Sequence, residues 1–133
     1  MKKINTIALV STTASTISSF MLGNIKKLNG HYNLVIFCNN AASLKKLVPR
    51  KVLLTDINFK RKPNLIADFI SFCKLVYFLI KNKPNLTISI SPKAGFITSL
   101  SSFVARVQYR IHWFTGQLWV TKKGPFHFFY KIL

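Results

Sequence analysis

The side chains able to do chemistry are few, and they fall into three short tracts. A hydroxyl run, Ser11-Thr12-Thr13-Ala14-Ser15-Thr16, comes early; Lys93-Ala94-Gly95 comes late; Thr115-Gly116-Gln117, followed by Lys122-Lys123, comes last. Hydroxyl and amide groups hydrogen-bond sugar or phosphate oxygens, lysines offset phosphate charge, and glycines let a backbone approach a ligand closely. Each tract also has a plainer reading: helix capping for the hydroxyls, turn formation for the glycines, solvation for the lysines. Trp119, next to this last tract, either stacks on a sugar or fills the core.

Acid–base chemistry requires a group that titrates near the working pH and sits beside the reacting atom. The chain has two carboxylates, Asp56 and Asp68, and no glutamate. Asp68 falls inside a predicted helix and reads as structural. Asp56 follows a predicted strand with three cations, Lys60-Arg61-Lys62, close behind it, so ion pairing is expected. His31, His112 and His127 are scattered, and no catalytic residue is assigned. Cys38 and Cys73 lie in apolar runs and are expected as buried, reduced thiols. No CxxC, HExxH or zinc-ligand spacing occurs, so no metal is expected.

The elements that must position these tracts alternate between apolar runs and helical stretches, which predicts an α/β class: a Rossmann-like three-layer α/β/α domain on a parallel sheet. Predicted strands are Ile4–Val10, Tyr32–Cys38, Lys51–Thr55, Leu86–Ser91 and Tyr109–Phe114. Predicted helices run from the hydroxyl tract to Leu28, over Ala41–Leu47, over Leu65–Lys81 behind an Asn64 cap, and over Phe96–Arg106 after a Pro92–Gly95 loop. The expected strand order is 3-2-1-4-5. The three tracts then share the carboxyl edge of the sheet, where open α/β sheets bind ligands, in a concave site. Lys2-Lys3 before an apolar run also suits a signal peptide, but Ile7–Val10 is short for an h-region and no cleavage site follows; a buried strand fits better. With no glycine before Gly23, the first loop lacks the GxGxxG of dinucleotide binders.

The 20 Lys+Arg against 2 Asp+Glu give a formal net charge of +18, which points to an anionic partner. A nucleic-acid module would suit the charge, yet no helix-turn-helix, zinc-finger or RNP-type signature occurs. The cations come as pairs at element ends, such as Lys26-Lys27, Lys45-Lys46, Lys81 and Lys83, where they complement helix dipoles. Nucleic acid is therefore not the expected partner. The helix over 65–81 is apolar around most of its circumference but short of the ~20 apolar residues that span a bilayer, so it is expected to pack on the sheet or touch a membrane surface. Together with the basic residues and the aromatic tail Phe126–Tyr130, it predicts peripheral binding to anionic membranes.

Two tracts, SPKAGFITSLSSFVARV and RIHWFTGQLWVTKKG, resemble the N-terminal half of bacterial family 4 glycosyltransferases of the branch that builds capsule, O-antigen and other surface polysaccharides. The opening IALVSTTASTISSFMLGNIKKL is similar to the first strand, loop and helix of that domain, and the resemblance runs from about residue 4 to about residue 130. It implies the acceptor-side half of a GT-B fold, a single domain over 1–133 that is incomplete at its C-terminal end. It also implies transfer of a sugar from a nucleotide-sugar to a lipid-linked saccharide, with anomeric retention and without an essential metal or other cofactor. The place of action would be the cytoplasmic face of the plasma membrane. The family's donor-holding Glu-x7-Glu motif has no counterpart here, so the resemblance implies either a fragment of such a transferase, truncated or frameshifted, or the acceptor subunit of a split enzyme whose donor half a second chain supplies; this polypeptide alone is expected to be inactive. Some members carry a histidine immediately before the glycine matching Gly116; here that position is Thr115, and no catalytic histidine carries over.

Overall fold

A computed structural model describes residues 5–60 and 64–115. The sheet has five strands: β1 (Thr6–Thr13), β2 (Asn33–Asn39), β3 (Leu53–Asp56), β4 (Leu86–Ile90) and β5 (Tyr109–Trp113). All neighbours pair in parallel in the order β3-β2-β1-β4-β5, so the α/β class and the expected order both hold. Between the strands lie α1 (Ala14–Phe20), α2 (Leu22–Leu28), a 3-10 helix (Ala41–Leu44), α3 (Leu65–Asn82) and α4 (Pro92–Val104).

Side-chain alternation along the central strands divides the core in two. Ile7 and Leu9 of β1, with Leu34 and Ile36 of β2, face Ala14, Ile17 and Ile25 of α1 and α2 and Leu44 of the 3-10 helix. Ala8 and Val10, with Val35 and Phe37, face Leu75 and Leu79 of α3 and Ala94 and Ile97 of α4. Helices thus cover both faces, as continuous apolar parallel strands require. Among the described residues no helix is long and apolar enough to cross a membrane.

Several boundaries differ from the sequence reading. β1 runs on through Ser11, Thr12 and Thr13, because Ser11 still pairs with Ile90 and Thr13 with Asn39 across an irregularity in the register. The first helical stretch is two helices with a break at Met21, and Ser18 Oγ there donates 2.9 Å to the Ser15 carbonyl. Such local side-chain bonds compete with regular helix, and Gly23 lowers the propensity further. The described part of the segment after β3 is the expected loop, but it is anchored in the core: it buries Ile57 and Phe59, and Ser71 Oγ donates 3.2 Å to the Asn58 carbonyl to hold it on α3. α3 begins at the expected Asn64 cap. The Asn64 side chain accepts from Ala67 N (2.9 Å) and Asp68 accepts from Asn64 N (3.2 Å), a reciprocal arrangement of the capping-box kind.

The two cysteines differ, contrary to expectation. Cys38 is fully buried in β2, and burial, aided by the nearby Asp56 charge, pushes its thiol up to about 12. Cys73 is exposed on α3, because it lies on the side of that helix opposite Ser71, Leu75 and Leu79, which pack inward. A thiol reagent at pH 8 is therefore expected to modify one cysteine of the folded chain, Cys73, and to reach Cys38 only on unfolding. Mass spectrometry of the alkylated protein, with and without denaturant, checks this; rapid labelling of both in the folded state would contradict the assigned register of β2.

Candidate functional site at the carboxyl edge of the sheet

The strand order reverses between β1 and β4, and the segments leaving these two strands meet at the carboxyl edge. Thr12 Oγ1 and Ser91 Oγ share a hydrogen bond of 3.2 Å across this junction. Ser91 has φ 82° and ψ 143°, a backbone conformation that favours glycine, and it is the N-cap of α4. Its hydroxyl is turned to Thr12 and makes no capping bond to the helix. A residue held in such a region costs of order 1–3 kcal/mol and clusters at functional sites. Pro92 follows at the start of the helix, where its fixed φ is compatible and its missing N–H is no loss.

The chain accordingly enters α4 at Pro92, and no loop spans Pro92–Gly95 as the sequence suggested. Ala94 and Gly95 are buried under the first turn. Gly95 lies inside the first turn of α4, not in a loop turn. A Cβ built there would fall 2.5 Å from His112 Nδ1, so the missing side chain makes room for an imidazole. That ring, on β5, is hydrogen-bonded through Nδ1 to Ser89 Oγ at 2.9 Å and meets Phe114 edge-on at 4.4 Å. Burial lowers the His112 pKa from 6.5, with a bond to the Ser89 backbone pulling the other way. The neighbouring inner face of α4 is built from small residues, with Ser102 Oγ donating 3.1 Å to Thr87 Oγ1, which lets the helix lie close to β4.

The other tracts are placed as follows. Ser11 is fully buried and its Oγ has no hydrogen-bond partner. Thr13 Oγ1 lies 3.0 Å from both Ser15 Oγ and Thr16 Oγ1, so these hydroxyls bond one another and no side chain caps α1. Lys93 Nζ pairs with Asp68 Oδ1 at 2.6 Å and donates to the Lys60 carbonyl at 2.6 Å, tying the segment after β3 to the head of α4. Asp56 Oδ1 accepts from Ala41 N at 3.1 Å, at the start of the 3-10 helix; two of the cations expected to pair with it, Arg61 and Lys62, lie outside the described residues. Thr115 is exposed just beyond β5, on the same edge. Gly116, Gln117, Trp119, Lys122 and Lys123, like Arg61 and Lys62, lie outside the described residues. Among the described residues no group of three or more His, Cys, Asp or Glu side chains could hold a metal ion.

Two features of this edge escaped the sequence reading. Ser91 looked like the end of a strand, since nothing local announces a positive φ on a serine. The Ser89–His112–Gly95 contact joins three elements and has no sequence signature. An open depression of about 330 Å³ lies at the opposite edge, lined by Lys83, Asn85, Arg106 and Gln108 among others. Lys83 and Arg106 there have positive φ, Lys83 as the C-cap of α3 and Arg106 just past α4, in keeping with cations at helix ends. None of the described residues of the hydroxyl and glycine tracts lines that depression.

Two outcomes test the imidazole pocket. Gly95→Ala is expected to destabilise the fold by about 1–3 kcal/mol through overpacking, and by much less in a His112→Ala background; equal costs in denaturant titrations of the two backgrounds would refute the contact. A histidine whose folded pKa is depressed binds its proton more readily when unfolded. Its stabilising contribution is therefore full above the unfolded value of 6.5 and is lost as pH falls through 6.5 toward the lower folded value. His112→Phe should flatten that part of the stability–pH curve.

No family model matches the chain, and no curated protein matches it. Among solved structures it is similar to the C-terminal domain of PF1911 hydrogenase from Pyrococcus furiosus. The crystal structure of that protein's residues 83–215 aligns with a TM-score of 0.54 at 10% identity, covering 85% of this chain and 94% of that one. The crystal structure of its residues 78–226 aligns at 0.53 and 10%, covering 84% and 92%. At that identity the likeness shows a shared α/β fold, of which this chain is a further example.

Proposed function

We propose that the chain is the acceptor-side module of a glycosyltransferase. In this reading the carboxyl edge receives a lipid-linked saccharide, and a sugar arrives from a nucleotide-sugar held by a donor module outside these 133 residues. The module works at the inner face of the plasma membrane, in the assembly of surface polysaccharide. The observation that carries the reading is the Thr12–Ser91 bond at the strand-order reversal, with Ser91 strained at the head of α4. It puts hydroxyls from adjacent strands beside the positive end of a helix, the usual place for a sugar–phosphate group in an open α/β sheet. The tracts SPKAGFITSLSSFVARV and RIHWFTGQLWVTKKG, which resemble family 4 glycosyltransferases, supply the reaction type.

The division of labour follows from the carboxylates. Stabilising a departing nucleotide diphosphate and moving the acceptor proton call for charged groups aimed at the reacting atoms. This chain offers Asp56, bonded to the Ala41 amide, and Asp68, paired with Lys93. Both are engaged in holding the fold. The module therefore binds and orients, and the partner supplies the electrostatics of transfer.

Amide chemical-shift mapping with a short-chain lipid-diphosphate saccharide is expected to move Thr12, Thr13, Ser91 and Lys93. Shifts confined to the Lys83–Arg106 edge would overturn the placement. Incubation of the purified chain with a panel of nucleotide-sugars and lipid-linked acceptors should give no turnover. Turnover without a second polypeptide would refute the division of labour.

A further inference from the structure

The structure assigns the outer face of α3 and α4 as the surface on which this protein lies against an anionic lipid bilayer. This inference rests on the reading above only for the leaflet, and its test needs no sugar transfer.

α3 turns Ser71, Leu75 and Leu79 to the sheet, and α4 turns Ala94, Ile97, Thr98 and Ser101. At 100° per residue, the opposite side of each helix is an apolar stripe: Ile66, Phe69 and Tyr77 on α3, and Phe96, Leu100 and Phe103 on α4. These six are 47–77% exposed, with Ile66 at 77% and Phe103 at 69%. The helices pack side by side in one layer on the same face of the sheet, so the stripes form one surface. A contiguous apolar patch carried by two helices marks a docking site, because isolated exposed apolar residues are common but stripes are not.

Charge decides the occupant. Lys74 and Lys81 lie on one flank of the α3 stripe, both exposed, and Arg110 from β5 reaches over the Phe103 ring at 5.8 Å. The one acidic residue on these helices, Asp68, is paired with Lys93. An apolar face rimmed by cations, with no uncompensated carboxylate, matches the acyl boundary and phosphate layer of an anionic membrane. A second copy of the chain, carrying the same formal charge of +18, would instead be repelled. Both helices would then lie in the membrane plane. The hydroxyl-bearing edge at their N-terminal ends would open sideways at headgroup height, within reach of a lipid-linked sugar.

Cys73 provides the probe, since it is exposed at the centre of the α3 stripe, four residues from Phe69 and four from Tyr77, while Cys38 is buried. An environment-sensitive fluorophore attached to Cys73 of the full chain should shift to the blue with vesicles of equal phosphatidylglycerol and phosphatidylcholine, and much less with phosphatidylcholine alone. In sedimentation, unlabelled Phe69→Ser/Phe103→Ser protein, with circular dichroism unchanged, should bind the anionic vesicles roughly tenfold more weakly or worse. Lys74→Gln and Lys81→Gln should each weaken it about fivefold. Equal binding of the serine variant and the native chain would overturn the assignment. So would an unshifted probe on protein that sediments with the vesicles, or native protein that ignores anionic lipid. A dimer abolished by the serine substitutions, without vesicle binding, would give the face to a second copy and overturn it too. Shift mapping of the hydroxyl edge is unaffected by any of these results, so failure here leaves the sugar-transfer reading to its own test.

Discussion

Much of this structure depends on β1 being hydrogen-bonded along both edges and packed on both faces. It pairs with β2 on one side and β4 on the other, so its backbone polar groups are satisfied by neighbouring strands and no edge is left open. Its alternating side chains then have two separate cores to fill, one under α1 and α2 and one under α3 and α4. A polar residue in the middle of β1 would leave an unpaired group in one of those cores, which accounts for the uninterrupted run Ile7–Val10. After Thr6 at its start, the next hydroxyl, Ser11, comes where the strand nears its end, and Thr12 is already at the carboxyl edge.

The same constraint locates the site. Because β2 and β4 flank β1, the connections from β1 and β4 leave to opposite faces of the sheet, and a gap opens between them at the carboxyl edge. Here the chain places Thr12 and Ser91, bonded to each other, with Ser91 strained so that α4 can begin directly at Pro92. Directly below, Gly95 is cleared for His112, which is anchored on Ser89. The edge is thus polar where it meets solvent and tightly packed beneath, a combination that holds the hydroxyls in place without filling the space in front of them.

Charge is distributed just as unevenly as shape. The two acidic residues work inside the fold, Asp56 at the 3-10 helix and Asp68 at the junction of α3 with α4, so nearly all the positive charge is left to act outward. Cations at helix ends, Lys81 among them, are partly offset by the helix dipoles, whereas Lys74 and Arg110 beside the α3–α4 stripes lie away from those ends. An apolar face framed by such cations and a separate hydroxyl-lined edge are the two surfaces on which the proposals above rest.

The sequence by itself determined the class, the number and order of the strands, the Asn64 cap and the three tracts that leave β1, β4 and β5. These follow from periodicity, apolar runs and the rule that ligand sites in α/β sheets follow the strands, all of which depend on near neighbours in the chain. The resemblance of SPKAGFITSLSSFVARV and RIHWFTGQLWVTKKG to glycosyltransferases added only the reaction type proposed above, which no periodicity carries. Only the tertiary structure decided which residues act together. The burial of Ile57 and Phe59 and the pairing of Lys93 with Asp68 each depend on contacts between elements distant in sequence. Gly95 is the clearest case: within the chain it reads as a loop glycine, and its reason for being glycine lies in an imidazole 17 residues later. Cys73 and its apolar neighbours illustrate the converse. Their all-round apolar helix could be buried or exposed, and the choice was made by which side of α3 met the sheet.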